Sequence, residues 1–361
     1  MSKLLGFMVI ILSNEEISDL VTMEECLEVL EAAYIEQSHG RAINQLRYDT
    51  RMPVSREEGP CKYQFKTMVG ILPKFDISAL RMSSTIHRTV VREGGARHES
   101  IAAAPGGRTV GIVQLYSIST GEPLAFFPDS YVSGLRLGGT YGLATKYLAR
   151  KDAEVVGLLG AGWQAGFQLR SHALVRKLKL VKVYSPTKEN RERFAKTLGE
   201  ELGVEVVAVD SPNRVKEEVD ILLAATNAVP NLIFPDDLHP GMHVGSIKIG
   251  ELDNRCYPEF DLRVVNNSKH FTTFEGGERG QYGKSFLYPT QDTRIDVFPV
   301  LEDIMTDPEK CRTTAEQITL FEGSGLGLQF AAVGAKVYEN AMKRGVGKQV
   351  PTEWLTQEPR S

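Results

Sequence analysis

Residues 154–166, "EVVGLLGAGWQAG", constrain the fold of this chain more than any other stretch. A continuous apolar run stops at Gly160-Ala161-Gly162 and passes at once into a helix-like segment, "WQAGFQLRSHALVRK". In such a turn the first glycine permits the tight bend, and the second lets a pyrophosphate approach the backbone. The small residue three further on, Ala165, allows close packing of helix on strand. Helix N–H groups and the helix dipole then face the phosphates. A glycine triplet alone is a weak signal, so its surroundings decide. Here "LVKVYS", "TKENRERFAKTLGEELG" and "VEVVAV" follow as strand, helix and strand, and "DILLAAT", "MHVGSI" and "LRVVNN" as three more strands. Strands that are apolar throughout and alternate with helices imply a parallel sheet covered on both faces. The predicted fold class is α/β, with a Rossmann-type doubly wound sheet over residues 131–323.

The candidate cofactor contacts are Gly160, Ala161, Gly162, Trp163, Gln164 and Ala165 at the first turn. To these are added Ser185, Thr187 and Lys188 after the second strand, Thr226 and Asn227 after "DILLAA", and Ser246 at the end of "MHVGSI". An NAD-specific fold carries an acid about 20 residues beyond the glycines, to hold the ribose hydroxyls. "VYSPTKENR" has no acid before Glu189. Its hydroxyls and the charges of Lys188 and Arg191 suit a 2'-phosphate, so NADP is favoured over NAD, with a solvated helix start as the alternative.

The N-terminal third has a different texture. Leu4 to Leu12 is predicted to be a buried strand and not a signal peptide, because no small-residue cleavage site follows and Asn14, Glu15 and Glu16 come directly after it. Ser13 to His39 has helical spacing, with Gly40 as its stop. From Arg47 to Phe127, β-like runs such as "KYQFKTMVGIL", "ISALRMSSTIH" and "TVGIVQLYSI" are separated by "SREEGP", "REGGARHES" and "AAAPGGR", and "QLYSISTGEPLAFF" reads as a hairpin. Asp129 opens a helix rich in small residues, residues 275–294 read as a long loop, and a last helix runs from about Ser324 to Lys343. This predicts a mostly β, α+β domain for substrate binding and dimerisation, made of 1–130 and 324–361.

Other functions are disfavoured. A net charge of -4 with interspersed lysines and acids leaves no basic face for nucleic acid. Four cysteines without a CxxC pair argue against a zinc ribbon or a disulfide scaffold and for a reducing, cytoplasmic location. No run approaches the roughly 20 apolar residues of a membrane span. His239 and His243 are separated by Pro240-Gly241, which breaks any helix that would bring them to one metal, and His87 and His98 stand alone.

The blocks "FFPDSYVSGLRLGGTYGLATKYLAR", "VVGLLGAGWQA", "VYSPTKENRERFA", "PDDLHPGMHVGSI", "GELD" and "TLFEGSGLG", with "QFK" at 64–66, resemble the ornithine cyclodeaminase and µ-crystallin family. The resemblance implies a homodimer and a substrate carboxylate gathered by Arg47, Lys66 and Arg136, with Arg51 close enough to Arg47 to take its part. An arginine fork matches a planar carboxylate, and a lysine pairs with it and exchanges a proton. Lys66 lies near Phe65 and Met68, so partial desolvation and a lowered pKa are expected. One departure matters. Cyclodeaminases carry an aspartate shortly after the "VG" before "EL", where this chain reads "VGSIKIGEL", and the acidic pair of their last helix is here Gln329 and Phe330. Ornithine is therefore expected to be a poor substrate, with Lys248 repelling its distal ammonium. The activity expected is NAD(P)-dependent hydride transfer at the α-carbon of a small amino or imino acid, as an imine reductase or amino-acid dehydrogenase, with Lys66 as the catalytic proton carrier. A cyclodeaminase with recycled NAD and a µ-crystallin-like NADPH and small-ligand binding protein are the rivals.

Overall fold

Two sheets organise the chain in the computed structural model. It describes residues 8–359 except 46, 58, 93–94, 229, 249, 267–270, 277–281, 287–297 and 324, with backbone alone at 92, 95–98, 271–276 and 282–286.

The described chain begins with strand β1 (Met8–Ile11), then helices α1 (Asn14–Leu20) and α2 (Met23–Ser38). Ser13 and Thr22 cap these helices with reciprocal bonds to Glu16 and Glu25, which satisfy N–H groups that a helix start leaves open. Next come β2 (Ile43–Asn44), β3 (Tyr48–Arg56), β4 (Gly59–Leu72), β5 (Ile77–Arg92), β6 (Gly95–Ile101), β7 (Val110–Ser117) and β8 (Pro123–Pro128). "REGGARHES" was expected to separate strands. Most of it is strand, since β6 pairs back on β5 from Arg92↔Gly95 to Ile86↔Ile101. Helix α3 (Ser130–Leu148) leads into β9 (Val155–Leu159), α4 (Trp163–Val175), β10 (Leu180–Tyr184), α5 (Lys188–Leu202), β11 (Glu205–Ala208), α6 (Pro212–Lys216), β12 (Ile221–Ala224), β13 (His243–Ser246) and β14 (Leu262–Val265). The chain closes with β15 (Phe271–Gly276), β16 (Tyr282–Phe286), α7 (Leu301–Thr306), β17 (Thr319–Glu322), α8 (Gly327–Arg344) and β18 (Lys348–Pro351).

β9–β14 and β17 form a seven-stranded sheet in the order β11-β10-β9-β12-β13-β17-β14, with every neighbouring pair parallel. Ile221, Leu222 and Val244 are fully buried, as expected of strands covered on both faces. "TLFE", β17, was not foreseen as a strand, yet it slots between β13 and β14. The order reverses between β9 and β12, which opens a crevice at the carboxyl ends of those strands.

The other sheet runs β16-β15-β3-β4-β5-β7-β8-β1-β18. The expectation of a long loop over 275–294 is corrected in part: β15 pairs parallel with β3 and antiparallel with β16, so this stretch extends the sheet, while 277–281 and 287–294 lie outside the described residues. Helix α8 packs on the face of β4 that carries Met68, Gly70 and Leu72. Gly70 and Gly327 touch so closely that a Cβ on either would lie within 2.4 Å of the other's backbone or that of its neighbours. Lys66 points to the same face, four residues back along the strand, or about 13 Å. It therefore lies where the helix cover begins.

α3 joins the two sheets. Its Gly138 would drive a Cβ to 2.6 Å from the Phe167 carbonyl, so α3 and α4 meet at backbone distance. A shared apolar core that includes Leu30, Tyr34, Leu115, Leu135, Phe321 and Phe330 holds α2, α3, α8 and both sheets together.

Candidate active site

The glycine turn has the geometry its sequence requires. Gly160 has φ +111°, and a Cβ there would lie 2.3 Å from the Ala225 carbonyl, so only glycine fits. Gly162 is the N-cap of α4 and differs: a Cβ there would meet nothing within 4 Å. The space over Gly162 is thus open, next to the first N–H groups of a 13-residue helix, and it fits a dinucleotide pyrophosphate. Ala165 is fully buried against the sheet, Trp163 is exposed and stands edge-on to Phe167, and Gln164 donates to the Gly134 carbonyl at 3.3 Å.

Ser185, Thr187 and Lys188 follow β10 on the rim of the same crevice. The Lys188 ammonium is exposed and 3.7 Å from Glu192. Arg191 turns back, with Nη1 donating to the Ser185 and Pro186 carbonyls at 3.0 and 3.3 Å, so it shapes the loop. Across the crevice, Thr226 and Asn227 follow β12 and Ser246 ends β13. Fully buried Glu251 ties these together, accepting from the Thr226 N–H and Oγ1 at 2.8 Å each and from Ser246 Oγ at 2.9 Å. Lys248 was expected to repel a substrate ammonium. Its Nζ instead donates to the Ala228 carbonyl, which directs the charge into the neighbouring loop.

The second half of the site is a charged face of the other sheet. Antiparallel register places Asp49, Lys66, Ser83 and Gly111 in one row across β3, β4, β5 and β7. Cross-strand partners project to the same side. Arg51 and Arg81 lie two residues away from this row along their strands and share its face, and Arg47, just ahead of β3, reaches it through its bonds to Asp49. Asp49 is fully buried and accepts from Arg47 Nε at 2.8 Å and Nη2 at 2.7 Å, from Arg51 Nη2 at 2.9 Å and from Gln64 Nε2 at 2.8 Å. Burial opposes its charge, but the two guanidinium groups outweigh this and hold its carboxyl below the ordinary range. Asp129, just before α3, accepts from Arg81 at 2.6 Å, and its carboxylate lies where a side chain on Gly111 would have to be. Ser83 Oγ is buried and has no hydrogen-bond partner among the described residues.

Lys66 sits within this cluster, its Nζ without a hydrogen bond among the described residues. Burial lowers its pKa most, and Arg47, Arg81 and Arg51 add to the effect against the pull of Asp49, giving about 8. Arg136, on α3, is 7% exposed and has no carboxylate within ion-pair distance among the described residues. Its Nη1 donates to Gln329 Oε1 at 2.7 Å, its Nη2 to Ser133 Oγ at 3.3 Å, and its guanidinium lies 4.8 Å from the centre of the Phe330 ring. Nε is buried without a partner among the described residues. Burial, then the nearby Arg81, lowers its pKa to about 10. Gln329 is itself fixed, donating to Tyr34 Oη and Thr140 Oγ1 at 2.8 Å each.

The structure therefore brings Arg47, Lys66 and Arg136 into one charged neighbourhood, and it adds Asp49, Arg51, Arg81 and Asp129, of which only Arg51 was anticipated. The histidines lie elsewhere. Buried His243 bonds Thr319 Oγ1 at 2.9 Å, His239 bonds the Pro240 carbonyl at 3.2 Å, His87 bonds Thr85 Oγ1 at 2.8 Å, and the His98 side chain lies outside the described residues. Among the described residues no group of three or more His, Cys, Asp or Glu could hold a metal ion, and no helix is long and apolar enough to cross a membrane.

Comparisons with known proteins place the chain among nicotinamide-dependent enzymes of known fold. A Δ1-pyrroline-2-carboxylate reductase of Bacillus cereus is 29% identical over 349 residues, spanning 95% of this chain and 99% of its own. An iminosuccinate reductase of Paracoccus denitrificans is 27% identical, over 94% and 99% of the two chains. The structure of Thermococcus litoralis Δ1-pyrroline-2-carboxylate reductase in complex with NADH and L-proline superimposes with a TM-score of 0.74 at 26% identity, covering 95% of this chain and all of that one. The model of the ornithine cyclodeaminase/mu-crystallin family matches residues 8–345, nearly the whole length, and the chain belongs to that family.

Proposed function

We propose that this protein is an NAD(P)-dependent imine reductase or amino-acid dehydrogenase, transferring hydride at the α-carbon of a small amino or imino acid. The observation that carries this reading is the contrast among the cations of this face. Arg47 and Arg51 share the single carboxylate of Asp49, and Arg81 pairs with Asp129, whereas among the described residues Arg136 has only neutral partners and the Lys66 ammonium has no ion pair. A buried charge without a counter-ion is costly, by several kcal/mol once relaxation is allowed for. A substrate α-carboxylate between Arg136 and Lys66 supplies the missing anion. The relatives named for pyrroline-2-carboxylate and iminosuccinate reduction support the same reading, since each of those compounds has an imine beside a carboxylate.

Bound at the crevice, the nicotinamide cofactor donates or accepts the hydride. Lys66, poised near pH 8, gives a proton to the imine nitrogen in the reductive direction and takes one in the oxidative direction. Arg136, locked by Gln329 and Phe330, orients the substrate. Asp49 and Asp129 on this face are both taken by arginines, so neither is free for the distal ammonium of ornithine. NADPH is favoured over NADH because Ser185, Thr187 and Lys188 follow β10 and no acid precedes Glu189 there. A substrate and dimerisation domain from 1–130 and 324–361, a nucleotide domain from 131–323, a homodimer and a cytoplasmic location complete the reading.

The test is an absorbance screen at the nicotinamide band with cyclic imino acids, with 2-oxo acids plus ammonia or methylamine, and with amino acids in reverse. Turnover is expected with at least one of these carboxylate-bearing substrates. Efficient conversion of ornithine and NAD to proline and ammonia, without net cofactor turnover, would overturn the reductase reading in favour of a cyclodeaminase.

A further inference from the structure

Glu251 lies outside the glycine turn and outside the charged face, yet it is among the most completely bonded side chains in the crevice. Its own backbone is fixed from the far side. The Glu251 carbonyl accepts from the Leu232 and Ile233 N–H groups at 2.7 and 3.0 Å, and Leu252 forms a parallel bridge to Ile233. The side chain is thus held at its base and reaches back beneath the ends of β12 and β13. There it meets four donors: the Thr226 N–H and Oγ1 on one oxygen, both at 2.8 Å, and Ser246 Oγ at 2.9 Å and the Lys248 N–H at 3.2 Å on the other. An ionised carboxylate offers only acceptor sites, about four, and each here is used. The Lys248 ammonium adds a second strut, to the Ala228 carbonyl. The end of β13 is gripped from the opposite side as well, because Tyr141 Oη on α3 donates to the Ser246 carbonyl at 2.5 Å.

We infer that Glu251, assisted by Lys248, is a positioning residue for the nicotinamide half of the cofactor, bracing the β12 and β13 loops in the one arrangement that leaves that half of the crevice open. The inference rests on the proposed cofactor site and adds a division of labour to it. A doubly wound sheet is built from two mononucleotide-binding halves that meet at the switch point. Gly160, Gly162 and the Ser185–Lys188 rim belong to the β9-β10-β11 half, which takes the adenosine side. Thr226, Ala228 and Ser246 belong to the β12-β13 half. Each of the four bonds to the Glu251 carboxylate comes from this second half. Loss of the brace therefore weakens contacts to nicotinamide and its ribose and leaves those to ADP-ribose alone.

Glu251→Gln is the sharpest variant. An amide replaces one acceptor oxygen by two donors: placed on the Thr226 side they meet its N–H, and on the other side they meet the Lys248 N–H and turn the Ser246 hydroxyl proton away to the Lys248 carbonyl at 3.0 Å. Lys248→Met, which keeps the apolar stem and deletes the ammonium, is a milder second variant should the first fail to fold. Dissociation constants for NADH and for ADP-ribose are measured by titration calorimetry, with thermal midpoints alongside. Expected are a loss of tenfold or more in NADH affinity for Glu251→Gln and of about threefold for Lys248→Met, with ADP-ribose affinity held within a factor of two in both. Parallel weakening of both ligands would mean a general structural role, and unchanged NADH affinity in both variants would mean no role. Either overturns the inference while leaving the cofactor site standing. Failure of the wild-type protein to bind either NADH or NADPH would remove the cofactor reading and this inference together.

Discussion

The cofactor crevice and the charged face around Lys66 solve opposite physical problems. The crevice, on the proposed reading, recognises by leaving things out: Gly160 makes the turn beneath the Ala225 carbonyl, Gly162 leaves open the space in which backbone amides meet an anion, and buried Glu251 braces loops from below. The charged face, on the proposed reading, recognises by what it holds in, a set of cations that outnumber their carboxylates: Asp49 is shared by Arg47 and Arg51, Asp129 pairs with Arg81, and Lys66 and Arg136 have no ion pair among the described residues. The crevice is thus damaged by adding bulk and the charged face by removing or unbalancing charge.

The largest expected effect sharpens the first half of that contrast. Gly162→Val should abolish dinucleotide binding while the thermal midpoint stays near that of the wild type, because the new side chain enters space that is empty of protein. Cofactor titration and a thermal melt read the two parts separately, and retained affinity would mean that the pyrophosphate does not lie over this residue.

On the charged face the effect should come through the proton. Lys66→Met is expected to lower kcat by about 10³-fold, within the span usual for losing a general acid or base, with a smaller change in cofactor affinity. In the wild type, Lys66 is protonated below about pH 8. kcat/KM for reduction should then be level at lower pH and fall as pH rises through that value, and the oxidative direction should show the opposite limb. A profile without a limb near pH 8 that Lys66→Met removes would exclude Lys66 as the proton carrier.

Asp49→Asn tests the balance of charge on that face. Asp49 favours the charged form of Lys66, so its removal should move the limb to lower pH, with a modest loss in rate. An unmoved limb would mean that the two groups are not coupled. The smallest effect is expected at the crevice rim. Lys188→Ala should weaken NADPH by about tenfold, or ~1.4 kcal/mol, and leave NADH unchanged. Equal effects on both cofactors would mean that Lys188 meets no 2'-phosphate.

The two regions also differ in how far the sequence revealed them. Gly160 to Ala165 are contiguous and their chemistry is local, so the motif located the crevice, and the apolar strands around it predicted the parallel sheet. Strand β17 is four residues long and "TLFE" follows the polar stretch 312–317 with no helix directly before it, so the strand-helix alternation does not announce it. The charged face is assembled by the register of β3, β4, β5 and β7, and no local pattern states that Asp49 lies opposite Lys66 or that Gly111 makes room for Asp129. One signal was present: Arg47, Asp49 and Arg51 alternate, as do Arg81 and Ser83, and period 2 in a strand puts each set on one face. The bond that orients the Lys248 ammonium could not be read locally either, since the carbonyl that takes it lies twenty residues away at Ala228.

The account stands or falls on Arg136 as the receptor of the substrate carboxylate. The direct measurement compares kcat/KM for a cyclic imino acid with that for its analogue lacking the carboxylate, in the wild type and in Arg136→Ala. Two perturbations of one contact are not additive, so their coupling isolates that contact. The prediction is that the wild type prefers the carboxylate-bearing substrate by about 10²-fold or more, in line with a charge-assisted, bidentate contact, and that Arg136→Ala loses nearly all of that preference. An undiminished preference in Arg136→Ala would contradict it and assign the carboxylate to another cation of the face.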